Sequence, residues 1–264
     1  LPLNFGKSLD ANHNFGFDFQ LINRSIYFEK DIPLTSIFST LSEGEEGSIS
    51  FQYSFVNKRN HTRNTYSPNQ GYGLDLSIKK ASSGIMGKFD YLKAELDSYK
   101  NSKVGPFSLF SRLRLESIKG DYPDQETLGI FGIPNFYIMG VSTPGREYMS
   151  LRGYRPNVNQ YKRGTKAMMA TLELRTPAAP ISIFESLKIF KIGMPSLVFF
   201  TDIGNAWINV LDLQKSVATT GAEIRFSFNL ISEPLFIFSY GWAENWTGTN
   251  KPESYLQLSL VNPF

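Results

Sequence analysis

The stretch Ala222–Leu230, with the sequence AEIRFSFNL, alternates strictly between apolar and polar residues. Successive side chains of a β-strand point to opposite faces, whereas a helix with 3.6 residues a turn cannot place these apolar side chains on one side. Two of its four polar residues, Glu223 and Arg225, are charged. The stretch therefore predicts a β-strand that lies between an apolar environment and a wet, charged one.

The same period of two recurs along most of the chain. It predicts about ten strands, at residues 14–26, 47–58, 71–83, 88–100, 107–119, 165–176, 195–207, 219–231, 234–242 and 254–262. Many of these strands have about the 9–11 residues that a tilted strand needs to cross a bilayer, whereas strands of soluble proteins average about 5–6 residues. The pattern favours an all-β fold, a transmembrane antiparallel β-barrel, over the alternative of a soluble β-sandwich with one wet face.

Composition excludes several classes of protein. The 264 residues include no cysteine, so disulfides, thiolate metal sites and cysteine nucleophiles are absent, and His13 and His61 stand too far apart in sequence for a local metal-binding pair. A net charge of +3 gives no basis for nucleic-acid binding. The longest apolar runs, such as Leu197–Phe200, are far shorter than the ~20 residues of a transmembrane helix. We expect no enzyme, no cofactor and no metal.

The connections between the predicted strands differ in length. Ser83–Gly87 and Ile231–Glu233 are short, whereas Lys58–Gln70 and Ala243–Glu253 are long and polar. Outer-membrane barrels have short turns at one end and long loops at the other. We therefore expect the two short connections to share one edge of the sheet and the two long ones to share the other. The basic stretch that opens Lys58–Gln70 would then be external, near lipopolysaccharide phosphates.

Gly120–Arg163 is the longest irregular region, and a gap of that length inside a compact domain is usually functional. It begins with three acids, Asp121, Asp124 and Glu126, which favour a solvated acidic turn over a loosely bound cation. It also contains the sequence Leu151-Arg152-Gly153-Tyr154.

Three motifs follow one another along the chain: Arg152-Gly153-Tyr154, then Phe200-Thr201-Asp202-Ile203-Gly204, then the alternating terminal strand Tyr255–Phe264. In this order they resemble the outer-membrane assembly-factor (bacterial surface antigen) superfamily, which includes BamA, TamA and the two-partner secretion transporters. That family has a sixteen-stranded barrel, with the arginine-bearing loop between strands eleven and twelve. The resemblance implies that residues 1–264 are one barrel domain, the C-terminal part of a longer protein. About five strands would precede a lumen-entering loop at 120–163, and five would follow it.

The resemblance also implies a contact between the loop and the barrel wall. In the family, the loop arginine pairs with acids on the inner wall, which carries over to Arg152 with Asp202, and with Glu173 as a second acid. Gly153 would allow the turn, and Tyr154 would pack against the wall. Whether this contact is only a brace or takes part in substrate handling stays open.

Two further residues of the strand motif have expected positions. Phe200 shares a face with Asp202, because the two are separated by one residue. For Gly204, a bend at the strand end is favoured over a special function.

The terminal strand is interpreted as an assembly signal and gate strand. Its candidate residues are Tyr255, Leu256, Leu258, Leu260 and Phe264. In the insertases that the chain resembles, the last strand pairs weakly with the first, and an exposed strand edge can template a client strand. The alternative is that this strand served only the assembly of the protein itself.

The resemblance implies an integral outer-membrane protein that inserts or translocates other proteins, in the manner of BamA. The alternative is a membrane anchor or export pore for an attached upstream lipase-like or propeller domain, without insertase activity. A passive porin is disfavoured because the arginine loop would plug the lumen. The implied partners are outer-membrane lipids and lipopolysaccharide, client outer-membrane proteins and accessory lipoproteins, with no nucleic acid.

Aromatic residues fall at the ends of predicted strands, where the aromatic girdles of a barrel form: Trp207, Trp242, Trp246 and Tyr240.

Overall fold

Strands account for nearly all of the structure. The computed structural model describes residues 2–8, 13–24, 44–57, 71–84, 87–132, 136–139, 149–152, 154, 162–176, 190–192, 196–230, 233–245 and 253–260. In these ranges the strands are β1 Pro2–Ser8, β2 His13–Arg24, β3 Gly44–Val56, β4 Gly71–Ala81, β5 Asp90–Val104, β6 Phe107–Asp121, β7 Leu128–Gly132, β8 Phe136–Met139, β9 Met149–Leu151, β10 Lys162–Gly164, β11 Lys166–Arg175, β12 Phe190–Ile192, β13 Ser196–Trp207, β14 Val217–Leu230, β15 Glu233–Asn245 and β16 Glu253–Leu260. Short 3-10 turns lie at Asp124–Glu126 and Leu213–Lys215. The prediction of an all-β fold is confirmed.

Among the described residues, none belongs to a helix with the length and apolarity needed to cross a membrane.

One antiparallel sheet forms the wall of the molecule. Its longer strands follow the order β1-β2-β3-β4-β5-β6-β11-β13-β14-β15-β16, so that each pairs with the next wall strand along the chain. The short strand β8 pairs in parallel with the outer edge of β16, and β12 pairs with β14. Within the described residues the sheet is an open path that runs from β1 to β8.

All ten predicted strands coincide with wall strands, but the wall contains one more. Strand β1 pairs with β2, and places Leu3 opposite Phe19 and Phe5 opposite Phe17. Alternation did not predict β1, because within this strand it is limited to Leu3 and Phe5, and Gly6 and Lys7 end the pattern. Six wall strands therefore precede the long loop, rather than the five that we expected.

The prediction about the two edges of the sheet is wrong. Segment 122–165 leaves the wall between β6 and β11, at what we call the loop-bearing edge. Ser83–Gly87 joins β4 to β5 at this edge, as Ala243–Glu253 joins β15 to β16, whereas Ile231–Glu233 connects strands at the opposite edge. Lys58–Gln70 lies outside the described residues, but β3 and β4, which flank it, also meet at the opposite edge. The reason is that connections in an antiparallel sheet alternate between its two edges. An odd number of wall strands separates the two short connections, and likewise the two long ones, so the members of each pair lie at opposite edges.

The two faces of the wall differ as the alternation predicts. In β11 and β13 the outward face carries exposed apolar side chains such as Leu172 and Phe199. The inward face buries Glu173 and Asp202. The alternation thus separates an apolar outer surface from a charged interior.

Segment 122–165 packs against the inward face through a small sheet of its own, in the order β10-β7-β9. Ile130, Met149 and Leu151 of this small sheet are fully buried. They share one apolar core with Phe89, which precedes β5, and with residues of the wall strands, namely Ala81, Tyr91, Ile118, Ala167 and Val217. The predicted irregular region is therefore partly regular, and apolar burial holds it inside the wall.

Candidate functional site

Arg152 occupies a tight turn at the end of β9. The backbone N–H of Tyr154 donates to the carbonyl oxygen of Leu151 at 3.4 Å, and both of these side chains are buried in the apolar core. Gly153, between Arg152 and Tyr154, lies outside the described residues. With Leu151 and Tyr154 held in the core, the Arg152 side chain reaches the wall, where it is itself buried.

Asp202 on β13 receives the Arg152 guanidinium in a two-point contact. Nε of Arg152 donates to Oδ2 and Nη2 donates to Oδ1, each at 2.7 Å, and the backbone N–H of Arg152 reaches Oδ2 at 3.4 Å. The guanidinium carbon also lies 3.7 Å from the ring centroid of Phe200. A planar guanidinium that is held at two points and stacked on an aromatic ring has a defined orientation as well as a favourable energy.

Glu173 on β11 contacts three arginines. Its carboxylate accepts from Nη1 of Arg152 at 2.8 Å, from Nε of Arg175 at 2.7 Å, and from Nη2 and Nη1 of Arg225 at 2.8 and 3.1 Å. Arg225 also pairs with Glu223 on β14, which lies 3.5 Å from Nη1 of Arg152. Each carboxylate thus shares its arginines with a neighbour.

We call these six residues the Arg152 cluster: Arg152, Glu173, Arg175, Asp202, Glu223 and Arg225. Three cations meet three anions, so the formal charges cancel. Buried charges are tolerated only when they are paired and hydrogen-bonded. The cluster satisfies that condition across three neighbouring wall strands and the loop.

The pKa of Arg152 follows from this setting. Burial alone would lower the pKa of the guanidinium, but its attraction to Asp202 and then to Glu173 outweighs burial and raises the pKa well above the usual value. Arg152 is therefore a permanent cation in the folded protein.

Gly204 lies inside β13, which continues to Trp207, so the expected strand-end bend is wrong. A Cβ at Gly204 would come within 3.1 Å of both Ile130 Cδ1 and Leu151 Cδ1. Absence of a side chain here lets β7 and β9 approach the wall closely, next to Asp202.

A second set of ionic contacts joins the start of segment 122–165 to another part of the wall. Glu126 lies 3.5 Å from Nζ of Lys79 on β4 and 3.5 Å from Nζ of Lys93 on β5. Lys79 also pairs with the buried Glu46 at 2.7 Å, and Glu46 accepts from the Tyr91 hydroxyl at 2.8 Å. The prediction of a solvated acidic turn is therefore wrong for Glu126. In the described ranges, no group of three or more His, Cys, Asp or Glu side chains forms a candidate metal site.

The terminal strand is β16, which contains Tyr255, Leu256, Leu258 and Leu260, whereas Phe264 lies outside the described residues. One edge of β16 pairs with β15 in antiparallel register over eight positions, from Phe236↔Leu260 to Ala243↔Glu253. The other edge carries β8, in parallel register from Leu256↔Phe136 to Ser259↔Met139. Strand β8 belongs to the same segment as Arg152, so the segment that enters the cluster also covers the last strand.

Comparison with known families agrees with this architecture. The family model for the Omp85 superfamily domain matches residues 1–248. The chain belongs to the Omp85 superfamily. The resemblance stated from the three motifs is thereby confirmed, and the antiparallel wall fits the β-barrel of this superfamily. No curated protein matches the chain.

Membership in the Omp85 superfamily implies a protein of the bacterial outer membrane that acts in protein insertion or translocation there, in contact with outer-membrane proteins and lipids. Members of the superfamily are transporters or insertion factors without enzymatic activity.

The sequence predicted some members of the Arg152 cluster but not all of them. The structure brings Arg152 together with the two predicted acids, Asp202 and Glu173, and stacks it on Phe200. From the sequence, Glu223 and Arg225 were only charges on a polar strand face, and Arg175 was not predicted at the site. The available signal was a charged residue in mid-strand at a position that alternation assigns to the inward face. That these charged residues contact one another depends on the register between β11, β13 and β14.

We expect Gly204→Val to loosen segment 122–165 in this Omp85 protein. The new side chain would overlap Ile130 and Leu151, and overpacking of this kind costs about 1–3 kcal/mol. Limited proteolysis of intact outer membranes should cleave the segment faster in this variant. The matched control is Gly16→Val on β2, where the added Cβ lies 3.8 Å from its nearest neighbour. Equal cleavage rates in the two variants would contradict close packing at Gly204.

We expect Glu126→Gln to free the start of segment 122–165 with a smaller effect than Gly204→Val, because glutamine keeps the shape of the side chain and both ion pairs that it removes are long, at 3.5 Å. Amide hydrogen exchange should become faster at residues 124–130 and stay unchanged at Leu151. Asp124→Asn, on the same 3-10 turn but exposed, is the control. Faster exchange in both variants alike would show that general loss of acidic charge, and not the contact with Lys79 and Lys93, is responsible.

Proposed function

We propose that this protein inserts client proteins into the outer membrane in a BamA-like manner, with the outer edge of β16 as the site that receives a client strand. The supporting observation is that segment 122–165 contributes both Arg152, held in the buried cluster, and β8, paired with that edge. The Arg152 cluster and the last strand are thus connected by one stretch of chain.

Two strand pairings at β16 differ in stability. Strand β8 occupies four positions, Leu256 to Ser259, in parallel register. An antiparallel client strand that paired along the whole of β16 would satisfy more backbone groups, and antiparallel pairing is slightly more stable per residue. Unsatisfied backbone N–H and C=O groups cost several kcal/mol each in lipid, so a client gains by adding to the edge. Exchange of β8 for a client strand needs no nucleotide.

The Arg152 cluster would have a positioning role in this scheme. It fixes one end of β9, which follows β8 in the same segment. A client could therefore displace β8 locally, while the apolar core and the cluster hold the rest of the segment in place.

The test uses the absence of cysteine in the chain. Gln257→Cys on β16, carrying a thiol-attached photocrosslinker, should crosslink to newly exported barrel proteins in cells. Ser239→Cys is the matched control, because it is the register partner of Gln257 on β15, which is flanked on both sides by wall strands. It should give no client crosslinks.

The alternative function predicts a different result from the same experiment. If the barrel is an anchor or export pore for an attached domain, Gln257→Cys should crosslink only within its own chain. That outcome would overturn the insertase proposal.

A further inference from the structure

The connection between β13 and β14, which we call loop 208–216, displays apolar side chains at its surface. Ile208 is 64% exposed, Val210 80% and Leu213 65%, and Leu211 between them is 40% exposed. Exposed apolar groups that cluster in this way on a soluble surface mark contact sites. The question is which apolar environment covers these four side chains.

Loop 208–216 folds down over the outward face of the wall. Asn205 lies on the same face of β13 as Phe199 and Ile203, both of which are exposed, yet Asn205 itself is only 2% exposed. Its Nδ2 donates to the carbonyl oxygen of Asp212 at 2.8 Å and to Oγ of Ser216 at 3.3 Å. An outward-pointing residue can be buried in this way only because the loop covers it.

Further hydrogen bonds give the loop a defined shape. The hydroxyl of Thr165 donates to the carbonyl oxygen of Ile208 at 3.1 Å, and the Asp212 carboxylate accepts from the backbone N–H of Gln214 at 3.0 Å. The short 3-10 turn Leu213–Lys215 follows. The apolar side chains are therefore presented by a structured loop.

The apolar surface of loop 208–216 continues the outward face of the wall. Below it on β13 are Ile203 and Phe199, and on β15 the exposed rings of Tyr240 and Trp242 lie toward the same loop-bearing edge. In an outer-membrane barrel this face contacts lipid, with aromatic residues at the level of the headgroups. Because the apolar surface of the loop continues this lipid-facing surface, we expect the bilayer to cover it.

Size and charge favour lipid over a protein partner. A specific protein interface uses about 20–30 residues on each side, far more than these four side chains. Lys215, whose Nζ lies 3.4 Å from Asp212 and whose side chain is 77% exposed, stands at the end of the same loop. A lysine at such a position can extend its amine to lipid phosphates while the neighbouring apolar side chains enter the acyl region.

We propose that loop 208–216 inserts into lipid. Its residues Ile208, Val210, Leu211 and Leu213 enter the membrane leaflet at the loop-bearing edge. The proposal rests on the outer-membrane barrel and is independent of client insertion. It adds a lipid contact outside the strand wall, on one side of the barrel.

Fluorescence quenching tests this proposal directly. The full protein, with Val210→Cys or Leu213→Cys labelled with the environment-sensitive fluorophore NBD, is reconstituted into phosphatidylcholine vesicles with and without acyl-chain nitroxide lipid. Ser83→Cys is the matched control, since Ser83 is an exposed polar residue of the β4–β5 connection at the same edge. Phe199→Cys on the outward wall is the lipid-exposed reference, and heat modifiability on a gel verifies that each labelled variant is folded.

We expect quenching at Val210 and Leu213 to exceed that at Ser83 by about threefold or more and to approach that at Phe199. Aqueous iodide should show the reverse order. Quenching by nitroxide lipid no greater than at Ser83 would overturn the proposal, whether the label were then exposed to water or shielded by protein.

Discussion

We expect Arg152→Ala to lower the temperature at which the folded barrel unfolds on a semi-native gel. The substitution leaves Asp202, which is fully buried, without the guanidinium that contacts both of its oxygens. It also leaves Glu173 and Glu223 with one cation fewer. Removal of one partner from a buried ion pair typically costs about 3–5 kcal/mol, because the remaining charge is uncompensated.

Arg112→Ala is the matched control for that measurement. Arg112 on β6 also makes a two-nitrogen contact with a carboxylate, that of Asp97, but 40% of its side chain is exposed and both residues belong to the wall. Exposed pairs contribute about 0–1 kcal/mol, so we expect a small change. Unchanged melting in Arg152→Ala and also in Asp202→Ala would remove the cluster as a source of stability.

Arg152→Lys separates charge from geometry. Lysine keeps the positive charge but cannot contact both oxygens of Asp202 and stack on Phe200 in the same way. We therefore expect melting between that of wild type and Arg152→Ala. Melting equal to wild type would mean that the charge alone is required.

We expect a disulfide between Tyr137→Cys and Gln257→Cys to abolish client crosslinking at β16. These two positions are register partners in the β8–β16 pairing, so the bond would hold β8 on the edge that the client needs. The client is recorded with a photoreactive amino acid at Ser259. A covalent bond cannot be displaced by backbone hydrogen bonding, and the expected loss is therefore close to complete.

The same double variant in its reduced form is the control, because reduction restores the exchange of β8 without changing the sequence. Client crosslinks should return when reductant is added. If the oxidised protein, verified by its gel mobility, still crosslinked clients as well as the reduced one, release of β8 would have no part in client binding. The insertase proposal would then need another receiving site.

The strands were the part of this protein that sequence could predict. Alternation reports which face of a strand a side chain occupies, and this is a local consequence of backbone geometry. It therefore located ten wall strands and assigned Glu173, Asp202 and Phe200 to the face opposite the lipid-facing residues. It missed β1, where only Leu3 and Phe5 alternate. The edge assignment of the connections failed for a different reason, since it compared loop lengths instead of counting the strands between them.

The amino-acid sequence by itself determined the alternating wall, the inward charges and the motifs that indicate the Omp85 superfamily. Only the tertiary structure decided that Glu173 contacts Arg152, Arg175 and Arg225, that Gly204 lies under Ile130 and Leu151, and that loop 208–216 turns outward. The physical reason is range. Alternation arises between neighbours in the chain, whereas these contacts depend on strand register and on where a distant segment packs, and neither property is encoded in a period of two.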